Sequence, residues 1–412
     1  MTSIVNQNNN HGNVYKSGKS VLQNSANGSN RAIAKEVGQA TLADNQTNVA
    51  FSSKDERDAY RKNHLPPVSS TQKNGTAVQI NLGEGGGNTA IGYQTIFQTS
   101  ISGTNTAVGT QNDDTIVMQG AKNQVRAGKG NDNITVTGDD NLVRAGAGDN
   151  TVNANGGKNY IKAGDGKNTI SATGDSNTIM VGNGDNAISA SGNGNPFSNG
   201  TNKITAGNGN NDISAAGSSN EIKAGNGDNQ IQTGGNGTSK VTVGNGNNTI
   251  TTNSQAGNDI TTGNGNSTIT TTGDSNTVKT GAGDDTITAT GKKNTIDAGD
   301  GNNNVSVLGK DNTITTGKDD DTVNVKKDWD IHKSKNTYNL TAGDGNDTLN
   351  LYGLKRKWTI TTDKETGITT YTHRRTGDVV TANGFESVKW NPLKGQKPQP
   401  ADLTPTNLPL IP

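Results

Sequence analysis

Residues 146–163 read GAGDNTVNANGGKNYIKA and residues 164–181 read GDGKNTISATGDSNTIMV. Written one above the other, the two lines put Val152 over Ile170, Ile161 over Ile179, Asn150 over Asn168 and Asn159 over Asn177. Within each line the aliphatic returns after nine residues, two places after an asparagine. Its neighbours alternate. In TISA (169–172), Ile170 and Ala172 face one way and Thr169 and Ser171 the other, the period of a short half-buried strand. Two kinds of glycine turn separate the strands, GDGKN (164–168) at one edge and TGDSN (173–177) at the other. Glycine suits such reversals because they require positive φ. The repeating unit is therefore an 18-residue coil of two nine-residue rungs. Self-similarity at a fixed short period marks a solenoid. The fold expected is all-β, a right-handed parallel β-solenoid or β-roll, with coils stacked at ~4.8 Å.

The pattern runs from Ile116 to Val323 in 23 rungs, broken by a longer loop at Pro196 and Phe197 and by two single-residue insertions before Ile269. It recovers near Leu340 and Leu349 after a break at 326–336, so residues 116–350 form the repeat domain. Residues 76–115 contain GGGNTAIG and SGTNTAVG, read as degenerate first coils and an N-terminal cap. Residues 351–392 hold Tyr352, Trp358, Tyr371, Phe385 and Trp390 and read as a small antiparallel C-terminal β cap. A solenoid needs such a cap because its last coil otherwise exposes an open edge and core. Residues 1–75 form a polar leader with one weak helical candidate at 53–63, and residues 393–412 a proline-rich tail.

Composition agrees with an unusual architecture. Apolar residues are 27% of the chain and aromatics 3%, against 56 glycines; an ordinary globular domain has nearly twice that apolar share. The 37 basic and 37 acidic residues balance, which removes the usual electrostatic argument for nucleic acid as a partner. The absence of cysteine excludes disulfides and thiolate chemistry. No stretch approaches the ~20 apolar residues of a membrane span. Nor does the start have the apolar core of a Sec signal peptide. Residues 1–35 contain no carboxylate. They resemble a type III secretion signal and read equally as a disordered polar leader.

The segments GKGNDNI (128–134), GAGDDTI (281–287) and GDGNDTL (343–349) resemble the RTX, or hemolysin-type, nonapeptide repeat. The resemblance implies a β-roll, an exported bacterial protein and calcium held by the aspartate two residues before the aliphatic. This chain departs from that pattern. Of 23 such positions, 17 are Asn, two are Ser and four are Asp: Asp114, Asp132, Asp285 and Asp321. With Asp347 in the recovered repeat, these are the candidate calcium ligands. Asn141, Asn150, Asn159, Asn168, Asn177 and Asn186 run unbroken. An amide offers one neutral oxygen, whereas Ca²⁺ takes six to eight oxygens, charged ones among them. Because an amide both donates and accepts, stacked asparagines are expected to form a hydrogen-bonded ladder. No cofactor is then required, with calcium confined to the aspartates.

The remaining candidates are surfaces. Arg126, Arg144 and Lys162 take one outward position on successive coils and suggest a site for acidic polysaccharide or a cell surface. On the opposite sheet, Thr249 and Thr251, Thr268 and Thr270, and Thr286 and Thr288 flank their aliphatics in pairs. Such flat threonine arrays resemble ice-binding solenoids, although Thr is also simply a good outward strand residue. The turn acids Asp149, Asp165, Asp185, Asp228, Asp284 and Asp300 repeat too indiscriminately for paired-carboxylate catalysis and read as turn formers. His11, His64, His332 and His373 pair with no acid or serine at a triad or metal spacing and read as surface residues. The expectation is an exported, non-catalytic structural or adhesive solenoid without a Sec signal. The alternatives are a type III effector or harpin-like protein, a calcium-responsive RTX module and an ice-binding protein.

Overall fold

A computed structural model describes residues 4–5, 14–17, 20–23, 77–82, 89–91, 95–100, 104–192, 200–254, 256–327 and 335–391. The helical candidate at 53–63, the loop at Pro196 and Phe197, and the proline-rich tail lie outside these residues. So does most of the expected export signal, although Ile4–Val5, Val14–Ser17 and Ser20–Gln23 form a three-stranded antiparallel sheet within it. The described chain divides into two units, one ending at Asn264 and one beginning at Gly265.

In the first unit every coil gives one strand to each of two parallel sheets. One sheet contains Thr115–Gln119, Asn133–Thr137, Thr151–Asn155, Thr169–Thr173 and Ala187–Ser191. The other contains Asn123–Lys129, Asn141–Ala147, Lys158–Ala163, Ser176–Met180 and Thr201–Thr205. Register follows the aliphatics. Ile116 pairs with Ile134, Ile134 with Val152 and Val152 with Ile170 in one sheet, and Val125 with Val143, Val143 with Ile161 and Ile161 with Ile179 in the other. A slip of one residue would turn every aliphatic to solvent. Ile134, Ile161 and Ile179 are fully buried, with Val136, Ala163 and Val181 beside them as the second inward residue. The core is one aliphatic and one small residue thick. Its thinness leaves the edges much of the work of holding coil to coil.

Glycine at those edges is required by close approach as well as by conformation. Gly146 has φ of 103°, and a Cβ there would stand 1.6 Å from the carbonyl oxygen of Gly128 on the coil before.

The second unit repeats this plan with Thr268–Thr272, Thr286–Thr290, Asn304–Leu308 and Thr322–Lys326 in one sheet and Thr277–Lys279, Thr295–Asp297 and Asn312–Thr315 in the other. Its C-terminal end differs from the expected antiparallel cap in one respect. Trp358–Thr362 and Thr369–His373 do pair antiparallel. Val379–Asn383, however, pairs parallel with Thr337–Thr341 as well as antiparallel with Thr369–His373, and Ser387–Asn391 pairs parallel with Thr348–Tyr352. The run from Asp378 to Trp390 is thus a last solenoid coil, and the 358–373 hairpin is inserted ahead of it. The reason is visible in the rungs: Ala382 falls on Leu340 and Val388 on Leu349. Glu386 stands two residues before Val388, where the ladder residue belongs, and Asp378 accepts with Oδ1 the N–H of Asn336 on the preceding coil.

Candidate functional site

The six consecutive ladder asparagines separate into two columns, one at each edge. Asn141, Asn159 and Asn177 stack at the TGDSN-type edge, with Nδ2 to Oδ1 distances of 2.9 Å and 2.8 Å. Asn150, Asn168 and Asn186 stack at the G-x-G-x-N edge, each step 3.0 Å. Upstream, Asn105 and Asn123 extend the first column. Downstream, Asn211, Asn229 and Asn248 extend the second.

Asn168 illustrates the chemistry. Its Nδ2 donates to the carbonyls of Gly164 and Gly166 in its own turn, both at 3.0 Å, and to Asn186 Oδ1. Its Oδ1 accepts from the backbone N–H and from Nδ2 of Asn150. The side chain is fully buried, and each of its polar atoms is used. Its NH₂, not an oxygen, is directed at the turn carbonyls, so this side chain offers a cation nothing there.

Aspartate at the same position behaves differently. Asp132, Asp285, Asp321 and Asp347 each accept with Oδ1 the backbone N–H of the ladder residue one coil earlier, that of Asp114, Ser267, Asn303 and Asp321 respectively. Each also has a buried Oδ2 with no hydrogen-bond partner. An ionised aspartate has a second oxygen in place of the NH₂ and so has no proton to offer the turn carbonyls. Burial accordingly pushes the Asp132 carboxyl up to about 7 and raises those of Asp285, Asp321 and Asp347. Asp114 is better provided for, since Thr110 N–H donates to Oδ2 and the Thr110 hydroxyl to Oδ1; burial still brings it to about 6.

Such a carboxylate wants a proton or a cation. The orphaned oxygens therefore fit calcium at Asp132, Asp285, Asp321 and Asp347, and the saturated amides do not fit it elsewhere. Asp321 and Asp347 stand on successive coils, and Glu386 Oε2 follows on the next, accepting the Asp347 N–H at 2.7 Å. Among the described residues no three acidic or histidine side chains gather closely enough to hold a metal by themselves. An ion here would draw on turn carbonyls as well, as Ca²⁺ sites commonly do.

A family model of the RTX calcium-binding nonapeptide repeat matches residues 119–152, 126–161, 153–188, 198–231, 261–296, 280–309 and 297–326. These segments are similar to RTX-type repeats. No curated protein and no solved structure matches the chain. The RTX matches stop at 188 and resume at 198, across the long loop, and stop at 231 and resume at 261, across the single-residue insertions. In that second interval the ladder spacing widens to 19 residues and Asn220 Nδ2 meets Ser239 Oγ at 3.4 Å instead of an amide.

The turn acids of these coils have a role that local turn preference does not supply. Asp149 Oδ1 accepts the N–H of Lys167, Asp165 that of Asn183 and Asp185 that of Asn210, each at 2.7 Å and each one coil on. Asp228, Asp284 and Asp300 do the same for Asn247, Asn302 and Lys318. They form a second, outer ladder that ties side chain to backbone.

Arg126 pairs with Arg144, and Arg144 with Lys162, in parallel register, and all three are exposed. Thr249 and Thr251 belong to the first unit, opposite Gln230 and Gln232. In the second unit Thr268 pairs with Thr286 and Thr270 with Thr288.

His11, His64 and His332 lie outside the described residues. His373 is not the surface residue expected: it is 5% exposed, packed edge-on against Trp358 with ring centroids 4.9 Å apart. Its Nδ1 meets the Thr376 hydroxyl at 3.0 Å, and that hydroxyl donates to Asp378 Oδ2 at 2.6 Å. The Tyr352 hydroxyl donates to the same carboxylate oxygen. Burial lowers the histidine's pKa and raises that of Tyr352. An inserted hairpin carrying Trp358 and His373 covers the aromatic Tyr352, which explains why a histidine is inside.

Proposed function

We propose that this chain is a non-catalytic module of an exported bacterial protein, an RTX-type solenoid whose first unit stands without metal over most of its length. Calcium tightens only the coils that carry a buried aspartate, above all Asp321 and Asp347. The observation that carries the reading is the contrast between Asn168, with every polar atom satisfied, and the orphaned Oδ2 of Asp321 and Asp347. The turn acids are held by the backbone N–H groups of neighbouring coils, which supports a structural role for them over a catalytic one. Export is supported by the RTX repeats and by the acid-free first 35 residues. Among the described residues no helix is long and apolar enough to cross a membrane.

Calorimetric titration of the EDTA-treated chain with Ca²⁺ tests the metal reading. A small number of sites, weakened or lost in the Asp321→Asn, Asp347→Asn double variant, is the expected result. Many equivalent sites that survive the double substitution would overturn it. Export is tested by deleting residues 2–35 and following secretion in hosts lacking a type I or a type III system.

A further inference from the structure

The sheet of the first unit that contains Asn123–Lys129 presents two outward columns of side chains, one before and one after each buried aliphatic. In its later coils the charges are matched. Lys203 lies 3.0 Å from Glu221, which also takes Lys223 at 3.3 Å, and Lys240 lies 2.8 Å from Asp259. The parallel register puts opposite charges on adjoining coils there.

Three earlier coils break that rule. Arg126, Arg144 and Lys162 occupy one column in direct register, and none of them has an acidic partner among the described residues. Like charges directly opposed across neighbouring strands are unfavourable, and here they recur at the ~4.8 Å strand spacing. The flanking turn acids Asp139 and Asp149 point Oδ1 at the N–H groups of Gly157 and Lys167 and form no ion pair with the three cations. A departure from local consistency without compensation inside the chain is where function is to be sought.

A second observation falls in the same place. The neighbouring column reads Gln124, Leu142, Tyr160, Thr178. Tyr160, 37% exposed, is one of two large hydrophobic side chains exposed among the described residues. A flat ring two residues from Lys162, on the same face, offers a stacking surface beside a row of cations.

We propose that this stripe binds a linear acidic polysaccharide lying along the stacking direction, with successive uronate carboxylates on Arg126, Arg144 and Lys162 and a sugar ring against Tyr160. A polyuronate carries one carboxylate per ring, so its charges repeat at nearly the spacing of the coils. Planar guanidinium groups suit carboxylates through paired hydrogen bonds. A strand that is one residue wide also suits a surface with one charged column better than a duplex nucleic acid would. The site is independent of the calcium reading, since it uses none of the ladder residues.

The test is binding of the full chain to polygalacturonate in EDTA, where calcium cannot bridge carboxylates, with neutral dextran and a single-stranded oligonucleotide as comparison polymers. Wild-type protein is expected to bind polygalacturonate, to ignore dextran, and to lose affinity as salt shortens the range of charge interactions. The Arg126→Gln, Arg144→Gln, Lys162→Gln triple variant should lose at least tenfold in affinity and Tyr160→Ser several-fold. Lys203→Gln with Lys240→Gln, which removes two paired cations from the same sheet, should change it less than twofold. Circular dichroism establishes that each variant is folded, and Arg144→Glu alone provides a second route to the same loss. Equal loss in the Lys203, Lys240 control, no binding by the wild type, or tighter binding of the oligonucleotide would each overturn the proposal.

Discussion

At the G-x-G-x-N edge of the first unit, Asn150, Asn168 and Asn186 pass a hydrogen bond from each coil to the next and satisfy their own turn carbonyls at the same time. At the same kind of edge in the second unit, Asp285, Asp321 and Asp347 pass the coil-to-coil bond only through Oδ1 and leave Oδ2 buried and alone. The backbone is alike in both. One atom, nitrogen or oxygen, decides whether the turn is self-sufficient or needs something positively charged. Both kinds of edge occur within one chain, and on the proposed reading the ladder residue decides which of them takes calcium.

The contrast can be broken most severely by exchanging that atom. Asn168→Asp would place an oxygen against Gly164 and Gly166 carbonyls and strand two carbonyls that now accept. An unpaired buried polar group costs about 1–3 kcal/mol, more when charged. We expect Asn168→Asp to cost about 3 kcal/mol in urea melts at pH 8 in EDTA, and appreciably less at pH 5, where the carboxyl can take a proton. Asn168→Ala removes the amide outright and should cost about 2–3 kcal/mol on the same grounds. The reverse exchange should stabilise: Asp321→Asn with Asp347→Asn is expected to raise metal-free stability by about 1–3 kcal/mol while removing the response to calcium. Ile170→Val, which takes one methylene from the core, should cost only about 0.5–1.5 kcal/mol.

Acidity sharpens the same comparison. Asp132 titrates at about 7 in the folded protein, against an ordinary value of 3.8. The folded state thus holds a proton that the unfolded chain has released. Its stabilising contribution is complete below the ordinary value and is lost as the pH rises through about 7. His373 works in the opposite sense. Burial holds its pKa below 6.5, so its contribution is present above that value and fades as the pH falls. Metal-free melts at pH 5 and pH 8 should show a pH dependence that shrinks in Asp132→Asn, and His373→Gln should lose its sensitivity to acid near the C-terminal end.

The register of the coils was legible because a nine-residue period fixes both the buried aliphatics and the ladder position, so Asn141 to Asn186 could be named before any contact was known. Three things were not legible. Asp378 and Glu386 were hidden because the 358–373 hairpin separates their coil from the preceding ladder residues and destroys the period. The outer clamps of Asp149 and Asp165 act on backbone N–H groups one coil away, whereas sequence offers only their local preference for turns. His373 looked like a surface residue because its burial depends on Trp358 and Tyr352 meeting across that same hairpin. Each miss is a long-range contact that the repeat does not encode.

Hydrogen exchange read by mass spectrometry, in EDTA and then in millimolar Ca²⁺, tests the central claim region by region. Amides from Asn141 to Asn248 should be strongly protected in EDTA and unchanged by calcium, while those around Asp321 and Asp347 gain protection when it is added. A first unit that exchanges freely until calcium is supplied, or a gain of equal size in both units, would contradict the account.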